Sequence, residues 1–261
     1  MKTAVCWKWV SLDREHELDE RWAGVSPADE AALEIALTLA DDVTVFCLGP
    51  READDVLRDA LAAGATAAMR IDASTELESR TVAAALAERL RDVDLVVCGD
   101  YSLDRGTGSV PAFIAAELRI AQALGLVEIE AGSVPLRVVR RLDGGRRELL
   151  DVSLPAVLSV EGSVANLRRA PLAASLATRS TTVPSVPGPH GRLPDTEVHP
   201  YRPRPRTLPA PSGDSLSRVR DILNVGGGDS HAETVTLEPA AAARRLLDQL
   251  GEWGYLDGSS R

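Results

Sequence analysis

Over its first 130 residues the chain alternates short apolar runs of β type with amphipathic helical patterns, and nothing else in it restricts the fold as strongly. Residues 3–9 (TAVCWKW), 43–48 (VTVFCL), 66–71 (TAAMRI) and 94–98 (DLVVC) read as strands. They are apolar on both faces, which suits strands covered by helices on each side. Helices are predicted at 27–40, 52–63, 76–91 and 107–118. Ser26, Pro27 and Asp29 make a helix start, with a Ser cap, a Pro at the first position and an acid at the third. Gly64 sits where the second helix should stop. Such alternation implies right-handed crossovers. The expected fold is therefore α/β, an open and mainly parallel sheet with helices on both faces.

The pattern changes after residue 125. VPLRVVRRLDGGRRELLDVSL alternates with period two around Gly144 and Gly145, a hairpin signal. LPAVLSVEGSV, from Leu154, reads as a further strand with Pro155 near its start. From 184 to 211 nine of 28 residues are proline, the composition of an extended linker. Beyond it GGG at 226–228 marks a turn, and the segment from Glu238 is a strong amphipathic helix with Trp253 and Tyr255 as anchors. A helix beyond a Pro-rich tether has little core of its own, so it is expected to grip another chain. The organisation expected is an α/β domain at 1–183, a linker at 184–213 and an extended C-terminal arm at 214–261.

Composition narrows the function classes. In 261 residues no apolar run reaches the roughly 18 that a membrane span needs, and the first residues lack a signal-peptide pattern. Three widely spaced cysteines do not make a disulfide framework, so a reduced, cytoplasmic setting is expected. The net charge of -10 opposes binding to nucleic acid. It is unevenly spread: residues 137–206 carry 12 Arg against 6 acids, a stretch able to face an acidic protein. Cys6, Cys47 and Cys98 each end a predicted strand, but without a CxxC pair they read as small buried hydrophobes rather than a metal set. His16, His190, His199 and His231 share no ligand spacing, and no nucleophile–base set is evident, so no catalytic constellation is assigned.

In open parallel sheets ligands bind beyond the carboxyl ends of the strands. Cys6-Trp7-Lys8, Ser26-Pro27, Cys47-Leu48-Gly49-Pro50 and the segment from Gly99 should meet there. Of Trp7 and Trp9, which flank Lys8, one is expected in the core and the other beside the ligand or a subunit interface. GDYSLDRGTGSV (99–110) places three glycines, Asp104, Thr107 and Ser109 between a strand and a helix. Glycine lets backbone approach a ligand, and the N–H groups opening the helix make an anion site. The same residues also read as a plain Gly-rich turn with capping hydroxyls. The stretch is neither GxxxxGK[ST] nor GxGxxG, which disfavours a P-loop phosphatase.

Together these segments resemble the β subunit of electron-transfer flavoproteins. VCWK at 5–8 is similar to that family's opening strand and lysine, and SPADEAALEIAL at 26–37 to its Asn-Pro-Phe-Asp-Glu helix start. LGPREADDVLRDALAAGATAAMRI at 48–71 and LDGGRRELLDVSLPAVLSVE at 142–161 follow its Gly-Pro and Leu-Pro-Ala segments. YSLDRGTGSV at 101–110 is similar to its nucleotide loop, with Arg105 and Gly106 replacing Gly and Asp, and Ser109 replacing Gln. The resemblance covers residues 1–180 and the final helix. It implies an adenine-nucleotide α-hydrolase-like fold, a partner α subunit that holds most of an FAD, and AMP or a second FAD in this chain. The implied nucleotide contacts are Cys6, Ser26, Leu48, Gly99, Asp104, Thr107, Gly108, Ser109 and Val110.

The family's partner-docking loop is matched by Ala165–Ala177, where Arg168 and the anchor Leu172 survive while Asn166 replaces Glu and the Pro-Asn-Ile-Met is lost. This implies docking to a flavin- or nicotinamide-linked dehydrogenase. The Arg-rich, divergent character is similar to the subgroup associated with mycofactocin-linked redox systems. The reading that results is an electron-carrier subunit rather than an enzyme. Its rivals are a stand-alone nucleotide-binding or nucleotide-hydrolysing protein of the same superfamily and a non-redox interaction module.

Overall fold

A computed structural model describes residues 1–11, 23–75, 77–132, 135–190, 213–223 and 235–252. The chain divides into two units, 1–198 and 199–261. In the first, a nine-stranded sheet is built from β1 (Lys2–Trp7), β4 (Asp42–Gly49), β5 (Ala67–Asp72), β6 (Leu95–Gly99), β7 (Ala121–Glu130), β8 (Leu136–Arg141), β9 (Arg147–Val152), β10 (Ala156–Val160) and β11 (Ser185–Pro187). Two short strands, β2 (Val10–Ser11) and β3 (Ala23–Gly24), pair apart from it. The order is β11-β5-β4-β1-β6-β10-β7-β8-β9. All pairs are parallel except β7–β8 and β8–β9. From β1 the chain builds outward through β4 and β5, then returns to place β6 on the other side of β1. The strand order reverses at β1, and crevices open where it does.

Helices α1 (Pro27–Leu39), α2 (Asp54–Ala63), α3 (Ser79–Ala87), α4 (Val110–Leu118) and α5 (Leu172–Thr178) complete the unit. Alternate side chains of each central strand enter different cores. Val5, Trp7, Val45, Val97 and Leu158 pack with α1 and α2, whereas Ala4, Cys6, Phe46, Leu48, Val96 and Val157 pack with α3 and α4. This double burial explains the unbroken apolar runs. Ser26 caps α1 by accepting the Asp29 N–H at 3.0 Å, and the Asp29 carboxylate accepts from the Ser26 N–H, with Pro27 following. Both halves of a capping box are present.

Three features depart from expectation. Residues 121–130 form the longest strand, β7, although no strand is expected there. The stretch expected to begin as linker starts instead with β11, whose Val186 packs against the core and which pairs with β5. An edge strand tolerates proline because only one side needs donors. The rest of that stretch, 191–212, lies outside the described residues, as do His16, His199, His231, Trp253 and Tyr255. The Arg-rich hairpin is also electrically self-contained: Arg137 pairs with Asp151, Arg140 with Glu148, Arg141 with Glu161 and Arg147 with Glu128. These arginines are not a free basic face.

In the second unit the described elements are α6 (Ser215–Leu223) and α7 (Pro239–Glu252). None of the described α7 residues is buried, and Leu246 and Leu247 are exposed. No described helix is long and apolar enough to cross a membrane.

Candidate functional site

An open cleft lies at the carboxyl ends of β1, β4 and β6. Its floor holds Cys6, Asp29, Leu48, Cys98 and Gly99, and Trp9 and Tyr101 add aromatic surface. Thr107, Gly108, Ser109 and Val110 form one wall where the loop enters α4; Leu77, Ser79, Val82 and Leu86 form the wall at α3. The lining combines aromatic and apolar side chains with hydroxyls, two cations and the starts of two helices, a mixture that suits a base joined to a phosphorylated sugar.

Glycine makes the loop possible at two places. At Gly108 φ is +57°, and a Cβ there would collide with the Asp100 carbonyl oxygen. Gly99 faces the start of α1: a Cβ would lie 2.7 Å from Asp29 Oδ1 and 2.8 Å from its backbone nitrogen. Only hydrogen at position 99 lets the α1 N-terminus sit against the end of β6.

The loop between is pinned by charge. Lys8 Nζ donates to both Asp104 oxygens at 2.8 and 2.6 Å, and Ser102 Oγ donates to Asp104 Oδ1 at 2.6 Å. Partial burial pushes the Asp104 carboxyl up, but the bonds from Lys8, Ser102 and the Arg105 N–H outweigh it and hold the group at about 2. Ser26 Oγ ties the loop to α1 by donating to the Tyr101 carbonyl at 3.1 Å. Below it, Asp29 is 4% exposed. Burial raises its carboxyl from 3.8 to about 7, despite hydrogen bonds from Ser26 and the Lys8 and Gly99 backbone. The Trp7 indole donates to the Asp29 carbonyl at 2.7 Å.

Of the nine expected nucleotide contacts, Cys6, Leu48, Gly99, Thr107, Gly108, Ser109 and Val110 line the cleft. Ser26 and Asp104 do not. Ser26 is 1% exposed and engaged in the cap and the Tyr101 bond; Asp104 is engaged by Lys8. Both position the loop. Trp7 is buried in the core and also reaches the cleft lining, which Trp9 shares. Sequence reasoning misses Asp29 as a floor residue and the wall at 77–86, which no motif marks. Arg105 is visible in sequence only as a departure from a pattern, yet it too lines the cleft. The three thiols do not converge: Cys6 and Cys98 are register partners facing α3 and α4, while Cys47 faces the opposite core. No group of three metal-ligating side chains occurs among the described residues.

The expected docking residues lie away from the cleft lining. Arg168 grips Glu34 of α1 through Nε at 2.9 Å, Nη2 at 2.8 Å and its own N–H at 3.0 Å. This fork holds the Glu34 carboxyl below its ordinary value. Leu172, first residue of α5, is 76% exposed, and Leu176 one turn later is 59% exposed. Neither enters the core.

A family model described as electron transfer flavoprotein domain matches residues 18–189. The chain is 33% identical over 175 residues to the protein FixA of Rhizobium meliloti, covering 61% of this chain and 60% of that protein. It is 31% identical over 179 residues to the caffeyl-CoA reductase-Etf complex subunit CarD of Acetobacterium woodii, covering 61% and 68%. To the electron transfer flavoprotein subunit beta of Syntrophomonas wolfei it is 30% identical over 146 residues, covering 53% and 58%. The match thus spans about three fifths of these relatives' length.

Proposed function

The chain belongs to the electron transfer flavoprotein domain family, and from that premise we propose that it acts as the β-type subunit of a two-subunit electron carrier. In this reading it binds an adenine nucleotide, AMP or the adenylate half of an FAD, in the cleft beyond β1, β4 and β6. A larger α subunit holds most of an FAD, which supplies the one- or two-electron chemistry when bound. The observation that carries the nucleotide assignment is a strand-end cleft lined by aromatic surface, by the hydroxyls of Thr107 and Ser109 and by the N-terminus of α4, with its loop shaped by Gly108.

The donor set fits the group. Thr107 Oγ1 and Ser109 Oγ lie 3.1 Å apart at the mouth of the loop, two hydroxyls able to donate to phosphoryl oxygens. Gly108 brings backbone close to the ligand, and Lys8, Asp104 and Ser26 hold the loop in place. Asp29 closes the floor, and Leu48 and Trp9 give apolar surface for the base. In this reading these residues bind and orient the nucleotide, the role of a carrier subunit.

The exposed Leu172 and Leu176 are read as the contact with an electron-donating dehydrogenase, flavin- or nicotinamide-linked, with Arg168 fixing the segment that presents them. One relative's name places it in a reductase complex, which supports such a partner. A cytoplasmic setting accords with three free, buried cysteines.

Co-expression with candidate α subunits tests the reading. A yellow complex that releases an adenine nucleotide on denaturation, in addition to the α subunit's FAD, is expected. If no α subunit yields a flavin-bearing complex, the electron-carrier reading fails.

A further inference from the structure

The two cations at the cleft are not equivalent. Lys8 is matched by Asp104. Arg105 meets no carboxylate among the described residues; its Nη1 donates to the neutral Leu77 carbonyl at 3.1 Å. One carbonyl leaves most of the guanidinium's five N–H donors without a strong acceptor. That bond also fixes where the charge sits, because it carries the side chain from the loop before α4 to the wall before α3. Ser79 opens α3 and Val110 opens α4, and both line the cleft. Two positive helix ends and an uncommitted guanidinium therefore face one space. Among the described residues the negative groups nearby are Asp29 in the floor, Asp104 held by Lys8, and the exposed Glu78 that precedes α3.

A lone phosphoryl group seated on the amides that open α4 leaves Arg105 still facing a carbonyl. A second phosphoryl group gives the guanidinium an anion it can grip through two parallel bonds. Resting on the nucleotide-binding reading above, we infer that Arg105 counts phosphates: it makes the cleft select an adenine nucleotide bearing a diphosphate over a monophosphate. The exchange is simple, a neutral carbonyl partner for a charged one.

Calorimetric titration of the full chain, freed of bound nucleotide, with AMP and with ADP tests this. ADP is expected to bind about tenfold more tightly, the scale of one charge-assisted contact. Arg105→Gln should bring the two affinities to within about twofold, the change falling on ADP, and Arg105→Lys should keep part of the preference. A parallel FAD titration separates a free diphosphate from a dinucleotide as its source, and either order of ADP and FAD leaves the preference standing. Equal binding of AMP and ADP by the parent chain overturns the inference, as does an equal loss of both in Arg105→Gln. Failure to bind any of the three overturns the nucleotide reading itself, an outcome distinct from binding without discrimination.

Discussion

Asp29 does two jobs with one side chain: it completes the α1 cap and it floors the cleft. Its carboxyl is raised by burial from 3.8 to about 7, so the folded chain holds a proton that the unfolded chain has already released. The sign follows from linkage. The group's contribution is full below pH 3.8 and is lost progressively as pH rises to about 7, after which the slope disappears. Asp29→Asn keeps an oxygen for the Ser26 N–H but cannot titrate. Urea unfolding at pH 5 and pH 8 should show the parent losing stability relative to Asp29→Asn over that interval; parallel curves would refute the assignment. Most of the cleft floor is legible in sequence because strand-end positions follow from the apolar runs. Ser26 and Asp104 brace the loop rather than line the cleft, a distinction sequence does not carry: a polar residue beside a ligand loop looks the same in either role. Only the partners distinguish the two, here the Asp29 N–H and Lys8 Nζ.

Among elements, the central strands are the easiest to read, since burial on both faces leaves only small hydroxyls such as Thr3, Thr44 and Ser159 inside otherwise apolar β1, β4, β6 and β10. β7 escapes because its burial is partial and its register shifts around Gly125, whose N–H turns to Ser159 Oγ at 3.0 Å. A period-two pattern broken by such a bulge has no single phase to detect. β11 escapes because its prolines signal linker, while the β5 edge that accepts it is not encoded nearby. The packing of α1 on β6 is the element-level feature with the sharpest consequence. Gly99→Ala places a methyl against Asp29 and Ala28, so α1 must shift. The expected loss is about 1–3 kcal/mol, the range for an overpacked core, and denaturant midpoints measure it directly. Nucleotide affinity should fall with it, because α1 carries the cleft floor.

At the scale of the whole molecule, charge and exposed apolar surface divide the work of association. Arg137, Arg140, Arg141 and Arg147 of the hairpin are each matched by a carboxylate, whereas Arg146 donates to the Asp143 carbonyl, so these four add little free positive charge. Among the exposed apolar side chains of the first unit, Leu172 and Leu176 lie together on one side of α5, while others such as Leu149 lie elsewhere. Burying one leucine stabilises a complex by about 2 kcal/mol, so Leu172→Ala should raise the Kd for a docking dehydrogenase roughly tenfold or more. Its melting temperature should barely move, since exposed substitutions stay within about 0.5 kcal/mol. Surface plasmon resonance beside a melting curve separates the two effects; a drop in melting temperature with unchanged Kd would make Leu172 a folding residue instead.

The parallel register that sets Cys6 opposite Cys98 and turns Cys47 to the other side equips the molecule with its own breathing gauge. Burial pushes the Cys47 thiol up to about 12, and the Cys6 neighbour together with burial raises Cys98 well above 9. A thiol reagent must wait for a transient opening before it scores either one. Cys6 and Cys98 look into the cleft and Cys47 does not. A tenant in the cleft should therefore silence the first two more than the third, and the labelling clock of a native sample reports both how often the sheet parts and whether anyone is home.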